Sequence, residues 1–509
     1  MILATLYFLL FSLIVFKHSF FKDEQLTTKW LFAIIALKIL GCFAYYWIYY
    51  VYYPGNFNGD SASTMKDAAI LHSALQNHDY VNYFRMLFGL HSESYTDPLW
   101  IKYFDRVEKW GRVDESTKYF LNDNRTPTRI NTIIRLFSFG YYSVHALVML
   151  IISFIGQLAM YKAFKRFFVS KEVLLAAVIF ILPSVLFWSS GVLKEPIALF
   201  ALGLFLFSFF KIVVDKQYTT KYILVGLLSV GLFLVLKPYI LILFLIPLIL
   251  FFVVHRFQIK RVTLFYITTL LLTTSVGLVI LKFAFNRDII ETIIIRQNDF
   301  VNLSEGGIYL IKRPLIVRID YKDSARCTLV DAKTAMYKIK PYTNVMCWHE
   351  NNMRDTFLIK NYTDTSAFKL ITICPPSGST ISMGRLDYSF GSFFKMIPKA
   401  FAIVAFKPLF FDSKSMLEHL ASLENFMILC FFVFCFLFRI KHKPDMNFLL
   451  FLITVVVCSF LLIGLTTTVM GAIVRYKIPF FPCFVMIPLS FLDMNKLKSI
   501  SIFKPFFKD

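Results

Sequence analysis

The chain has 509 residues, 57% of them hydrophobic and 18% aromatic, with 59 phenylalanines. A soluble fold of this size has no use for so much apolar surface, so the composition excludes an ordinary water-soluble domain. The net charge of +22 is not a nucleic-acid signature, because its lysines and arginines sit in short connections between apolar runs and form no continuous stripe.

In chain order, apolar runs suited to a hydrocarbon layer about 30 Å thick fall at 1–16, 29–52, 138–160, 172–190, 192–210, 222–236, 238–254, 262–284, 424–438, 447–470 and 476–492. The expected fold is therefore an all-α polytopic membrane protein of about eleven spans. The first run lacks a basic leader and a small-residue cleavage site, so it reads as a retained span rather than a signal peptide. Lys162/Lys165/Arg166/Lys171, Lys211/Lys216/Lys221, Arg256/Lys260/Arg261, Arg439/Lys441/Lys443 and a tail with Lys496, Lys498, Lys504 and Lys508 punctuate the runs. Such short basic loops are cytoplasmic, next to anionic lipid, which puts the N-terminus outside and the C-terminus inside. The run 222–254 is too long for one crossing, and Lys237-Pro238 divides it into two short helices.

Two long loops lie on the outer side. The first, 53–138, carries ten acidic and ten basic residues between Asp60 and Arg135. It opens with an amphipathic helix from Asp60 to Leu75, with Asp60 as a candidate N-cap and Asp67 on the solvated face. The second, 286–423, begins with a helix from Ile289 to Leu303. It then becomes β-rich over Ile308–Tyr321, Thr328–Ile339 and Thr356–Thr372, as expected of a small periplasmic subdomain. Phe393 to Phe411 reads as an amphipathic interfacial segment. Three regions follow: 1–285, the loop region 286–423, and 424–509 with its basic tail. Five of the eight cysteines lie in apolar runs. An oxidising compartment would permit one disulfide among Cys327, Cys347 and Cys374 in the second loop, and the sequence does not choose a pair.

Ionisable groups gather at the outer ends of the spans: Asp60, the turn Trp188-Ser-Ser-Gly-Val-Leu-Lys194-Glu195, Lys237-Pro-Tyr239, and Arg475-Tyr-Lys477. Charges at membrane depth are costly and usually face a cavity or a partner. Cations there can bind phosphate, while a carboxylate can take a proton from a hydroxyl. Each residue also has a plainer role. Asp60 can cap its helix, Lys194 and Glu195 can sit at a helix start among headgroups, and Lys237 and Arg475 can snorkel. Lys38, deep in the second run, has no role beyond snorkelling. His145 and Gln157 read as interhelical hydrogen-bond partners, and Tyr45 to Tyr53 as an interfacial aromatic belt. No cofactor is called for, and a divalent metal has no zinc or paired-acid signature to support it.

Together with Asn56-Phe-Asn-Gly-Asp60, Arg296-Gln-Asn-Asp-Phe300, Phe406-Lys-Pro-Leu409 and Leu423-Glu-Asn425, this layout resembles the multi-spanning glycosyltransferase-like proteins of bacterial surface-polysaccharide clusters. It is similar to the C-type glycosyltransferase (GT-C) superfamily. The resemblance implies a bacterial inner-membrane enzyme, a polyprenyl-phosphate-linked sugar as donor, and a glycan or lipid acceptor on the periplasmic side. Asp60 would be the catalytic base. Lys194, Lys237 and Arg475 would hold the lipid phosphate, with Trp188, Glu195, Lys477 and Asp67 completing the substrate site. A polymerase of lipid-linked repeat units would share this layout. A flippase would be expected to show repeated halves, which the sequence lacks, and a non-enzymatic scaffold built on the β-rich loop is a further alternative.

Overall fold

The structure is a computed structural model. It describes the chain apart from Met1, 53–58, 91–96, 108–124, 285–287, 313, 333, 350–351, 365, 382, 388, 414, 441–443 and 500–509. Asn56 to Asn58, Lys441, Lys443, Lys504 and Lys508 therefore lie outside the described residues.

The first helices are α1 (Ile2–Lys17), α2 (Thr28–Tyr46), α3 (Asp60–Gln76), α4 (Tyr80–Phe88), α5 (Pro98–Tyr103), α6 (Arg125–Ser138) and α7 (Tyr142–Phe164). There follow α8 (Glu172–Phe180), α9 (Pro183–Trp188), α10 (Lys194–Val213), α11 (Thr220–Leu236), α12 (Pro238–Phe257), α13 (Val262–Ala284) and α14 (Ile289–Glu305). After the sheet come α15 (Phe390–Phe406), α16 (Met416–Leu437), α17 (Met446–Thr466), α18 (Met470–Tyr476), α19 (Phe481–Phe491) and α20 (Met494–Lys498).

Among the described residues, seven helices are long and apolar enough to cross a membrane, and the bent pair α18/α19, at 64°, makes an eighth if counted as one span. This is a multi-pass helical architecture. The expected count of eleven depends on shorter pieces. α1 and α11 are apolar but only 16 and 17 residues long. The expected span 172–190 is two helices of nine and six residues. Pro183 causes that break: it has no N–H to donate and pushes Leu182 to an extended ψ of 123°.

Two compact units emerge. The first comprises Met1–Tyr266, Phe426–Val456 and Ile478–Asp509. Its centre is the pair α7 and α10, which meet at Gly156 and Gly203. A Cβ on Gly203 would stand 1.7 Å from the Gly156 carbonyl oxygen, so only glycine permits this backbone approach. The α3–α5 region has its own core of Leu71, Tyr83, Met86, Leu99, Trp100 and Tyr103. It is pinned by Asp79, which accepts from Lys102, Asn82 and Tyr103. Those donors hold its carboxyl at about 2, well below the ordinary value.

The second unit comprises Ile267–Asn425 and Val457–Lys477. Its seven strands are β1 (Gly307–Lys312), β2 (Leu315–Asp320), β3 (Cys327–Asp331), β4 (Met336–Ile339), β5 (Thr343–His349), β6 (Asn352–Tyr362) and β7 (Ala367–Cys374). They form one antiparallel sheet in the order β3-β4-β7-β1-β2-β5-β6, around Leu310, Val317, Ile319, Val345 and Phe368. The expected β-rich stretches appear, and β5 is added to them. Cys327, Cys347 and Cys374 are free thiols. They lie on β3, β5 and β7, so at least one strand separates any two. Two strand spacings, about 9.5 Å, exceed the reach of a disulfide, so the bridge that an oxidising compartment would permit is out of reach. Of the 393–411 segment, the part up to Phe406 lies in α15, which packs on α17 at Ala400. A Cβ on Gly464 would lie 2.3 Å from the Ala400 carbonyl oxygen.

Candidate functional site

In the first unit, α7 and α10 carry Tyr142 and Lys194 at one end, and Lys162 and Lys211 at the other. The candidate residues of this unit belong to the Tyr142/Lys194 end.

The chain between α8 and α10 is irregular at the depth of apolar helices, so its freed backbone groups need partners. They have them. Gln157 Nε2 donates to the Ile179 carbonyl at 2.7 Å, and Ser153 Oγ to that of Ser189 at 2.8 Å. Cys42 Sγ donates to the Ser190 carbonyl at 2.9 Å. Lys38 does not snorkel. It is fully buried, and its Nζ donates to Ser189 Oγ at 2.6 Å and Gln157 Oε1 at 2.8 Å. Gly191 allows the turn to press against α2, where a Cβ would lie 3.0 Å from the Tyr45 ring. This clamp fixes Trp188 on one side of the turn, and Lys194 and Glu195 on the other. Trp188 meets Phe187 at 5.2 Å, and Tyr45 and Tyr49 at 6.3 Å, between ring centroids. The expected aromatic belt is thus partly an internal wall, with Tyr45 only 2% exposed.

Glu195 and Lys237 are both buried and form an ion pair at 3.1 Å. Glu195 does stand in the first turn of α10, as expected, but buried against Lys237, and Lys237 does not snorkel. Lys237 interrupts the apolar run, as Lys237-Pro238 leads one to expect, with φ −150° and ψ 73° between α11 and α12. Two residues earlier, the Val235 carbonyl accepts from Thr126 Oγ1 at 2.9 Å. That bond ties the start of α6 to the Lys237 turn.

α6 packs against α3, which carries both acidic candidates. Gly59 is the N-cap and Asp60 the first helical residue, so the capping role assigned to Asp60 falls to its neighbour. Asp60 keeps its carboxylate at the positive end of the helix and remains half-buried. Asp67 is fully buried rather than solvated, because α3 turns that face inward with Ala68 and Leu71. Asp60, Asp67, Lys194 and Arg125 all engage neighbours. Beside Asp60, Ser61 Oγ lies 3.5 Å from the Tyr142 hydroxyl, which also accepts from the Val192 backbone. A short path therefore links the start of α3 to the turn that bears Lys194.

His145 is an interhelical partner, as expected. Its ring nitrogens meet Asn131 Oδ1 and Ser138 Oγ, each at 2.7 Å.

Arg475 and Lys477 belong to the second unit. Lys477 is 1% exposed, with its Nζ donating to Asn425 Oδ1 at 3.3 Å and the buried Glu424 nearby. Asn425 Nδ2 in turn donates to the Pro408 carbonyl at 3.2 Å. Tyr476 packs edge-on against Phe300, with 6.1 Å between centroids. Gln297 accepts from the Leu386 N–H at 2.7 Å. Four motifs far apart in the chain (296–300, 406–409, 423–425 and 475–477) thus meet within this unit. Among the described residues, no group of three or more His, Cys, Asp or Glu that could hold a metal ion occurs.

Sequence reasoning misses Lys38 and Arg125. The signal for Lys38 is a lone cation at the centre of an apolar run. Arg125 gives none, since its 4% exposure comes from tertiary packing.

No family model, curated protein or solved structure matches the chain.

Proposed function

We propose that the chain is a bacterial inner-membrane glycosyltransferase that moves a sugar from a polyprenyl-phosphate carrier to a surface glycan or lipid acceptor on the periplasmic side. Eleven crossings, counting α1, α11 and the broken α8/α9 pair, put the N-terminus outside and the C-terminus in the cytoplasm. The observation that carries the reading is the pairing of two features at one end of the first unit. One is a helix bearing Asp60 and Asp67; the other is a clamped, broken segment bearing Trp188, Lys194 and the Glu195–Lys237 pair. Acid and cation beside an aromatic wall suit a phosphate-linked sugar.

In this reaction Asp60 takes the proton from the acceptor hydroxyl, whose oxygen attacks the anomeric carbon. The bond from that carbon to the phosphate oxygen breaks, and polyprenyl phosphate leaves with the electron pair. Lys194 and Lys237 meet its charge, while Trp188 packs on the sugar. Glu195 and Asp67 hold the cations and helices in place. A sugar phosphate is already a good leaving group, so a positioned base and an electrostatic cradle suffice.

The test is turnover of a single-sugar polyprenyl-phosphate donor by the purified full chain. Asp60→Asn lowers turnover by about 10³-fold, the scale of a lost general base, at an unchanged protein level. Wild-type turnover in that variant removes Asp60 from the chemistry. Turnover only with an oligosaccharide-diphosphate donor replaces the transferase with a repeat-unit polymerase.

A further inference from the structure

At the other end of the first unit, a cavity of about 1000 Å³ opens between the 18–25 connection and helices α7, α10 and α11. Its lining has two tones. Ile155, Leu204, Phe207 and Val225 form an apolar wall. Above them the lining holds six Lys and Arg against four Asp and Glu, an excess of two positive charges.

The pairing inside the cavity shows which cations are committed. Lys165 bonds Asp23 at 2.6 Å, and Asp215 takes both Arg166 and Lys211. Lys22, Lys162 and Lys221 form no ion pair among the described residues. Lys162 Nζ only donates to the Lys22 carbonyl, at 3.1 Å, and stands 5.2 Å from the Phe20 ring centre. Arg166 Nε is buried without a hydrogen-bond partner, an orphan of the kind that native interiors avoid.

We propose that this cavity is a binding site for an anionic phospholipid. Its phosphate lies against Lys22, Lys162 and Lys221, and an acyl chain runs along Ile155, Leu204, Phe207 and Val225. From Lys162 to Ile155 is seven residues of helix, about 10 Å, which is the depth from a headgroup into the acyl region. Basic pockets between membrane helices recognise anionic headgroups by this combination of cation rim and apolar wall. A free phosphate would use the rim and leave the wall empty. The site is independent of the sugar-transfer reading.

The experiment titrates dioleoyl phosphatidylglycerol into the purified full chain in detergent, following bound lipid by native mass spectrometry and Tm. Dioleoyl phosphatidylcholine and inorganic phosphate serve as comparisons. Phosphatidylglycerol binds saturably and raises Tm, and the two comparisons do neither. The triple variant Lys22→Gln/Lys162→Gln/Lys221→Gln weakens binding by about 100-fold, at about fivefold per lysine. The corresponding Lys→Arg triple stays within about threefold of wild type, because the charge is kept. So does Lys216→Gln/Lys260→Gln/Arg261→Gln, which removes equal charge outside the cavity. If the first triple fails to fold, the double Lys22→Gln/Lys221→Gln, at two exposed positions, takes its place with about a 25-fold loss. Equal weakening in the cavity variant and the outside triple, equal binding of phosphatidylcholine, or equal stabilisation by phosphate alone overturns the site.

Discussion

Glu195 and Lys237 set the terms at the residue scale. A buried ion pair contributes little net stability against an apolar substitute, yet breaking one half strands a charge. Glu195→Gln is therefore expected to cost about 3–5 kcal/mol in detergent unfolding. The double variant Glu195→Met/Lys237→Met returns to within about 2 kcal/mol of wild type. If the pair serves only architecture, activity returns with stability; if Lys237 meets the leaving phosphate, it does not. Lys38 differs in kind, since it is buried without a carboxylate and its bonds run to Ser189 and Gln157. Its charge is spent on the shape of a turn.

Two elements decide where the candidate residues stand: the α7–α10 contact and the α8–α9 break. Gly203→Ala forces a Cβ into the Gly156 backbone. It is expected to lower stability by about 3 kcal/mol or more, at the upper end of overpacking costs, read as a fall in Tm. A change within about 0.5 kcal/mol would mean that the two helices do not touch there. Much of this level is legible in the sequence. Lys237-Pro238 announces its interruption because proline cannot continue a helix, and alternation exposes the strands around Ile308–Tyr321. The span 172–190 hides its break, because hydropathy counts apolar residues and is blind to the missing N–H of Pro183. β5 escapes because Thr343–His349 mixes polar and bulky residues whose alternation matters only once β2 and β6 flank it. Of the candidate residues in the two units, the cations Lys237 and Lys477 are visible as charges near apolar runs. Their partners Glu195, Glu424 and Asn425 are not visible as partners, since pairing across 42 or 52 residues is set by tertiary packing.

At the scale of the whole molecule, the positions of the basic loops give the firmest handle. The 18–25, 162–172 and 211–225 stretches line one cavity, so these connections share one end of the first unit. The sidedness read from charge would put that end in the cytoplasm. Single cysteines placed in a cysteine-free background test it. Lys216→Cys is expected to resist a membrane-impermeant maleimide in intact cells, while Asn77→Cys reacts. The opposite pattern, or reaction of both, overturns the orientation.

The interrupted stretch between α8 and α10 bears on how the chain is made. Neither α8 nor α9, nine and six residues long, is long enough to be taken into lipid as a crossing by itself. Its loose carbonyls would be costly there without donors. Those donors (Cys42, Ser153 and Gln157), together with the clamping Lys38, all come from helices synthesised earlier. The ribosome therefore delivers the anchors first and the segment that needs them second, and reversing that order by circular permutation would deprive the segment of partners at the moment of insertion.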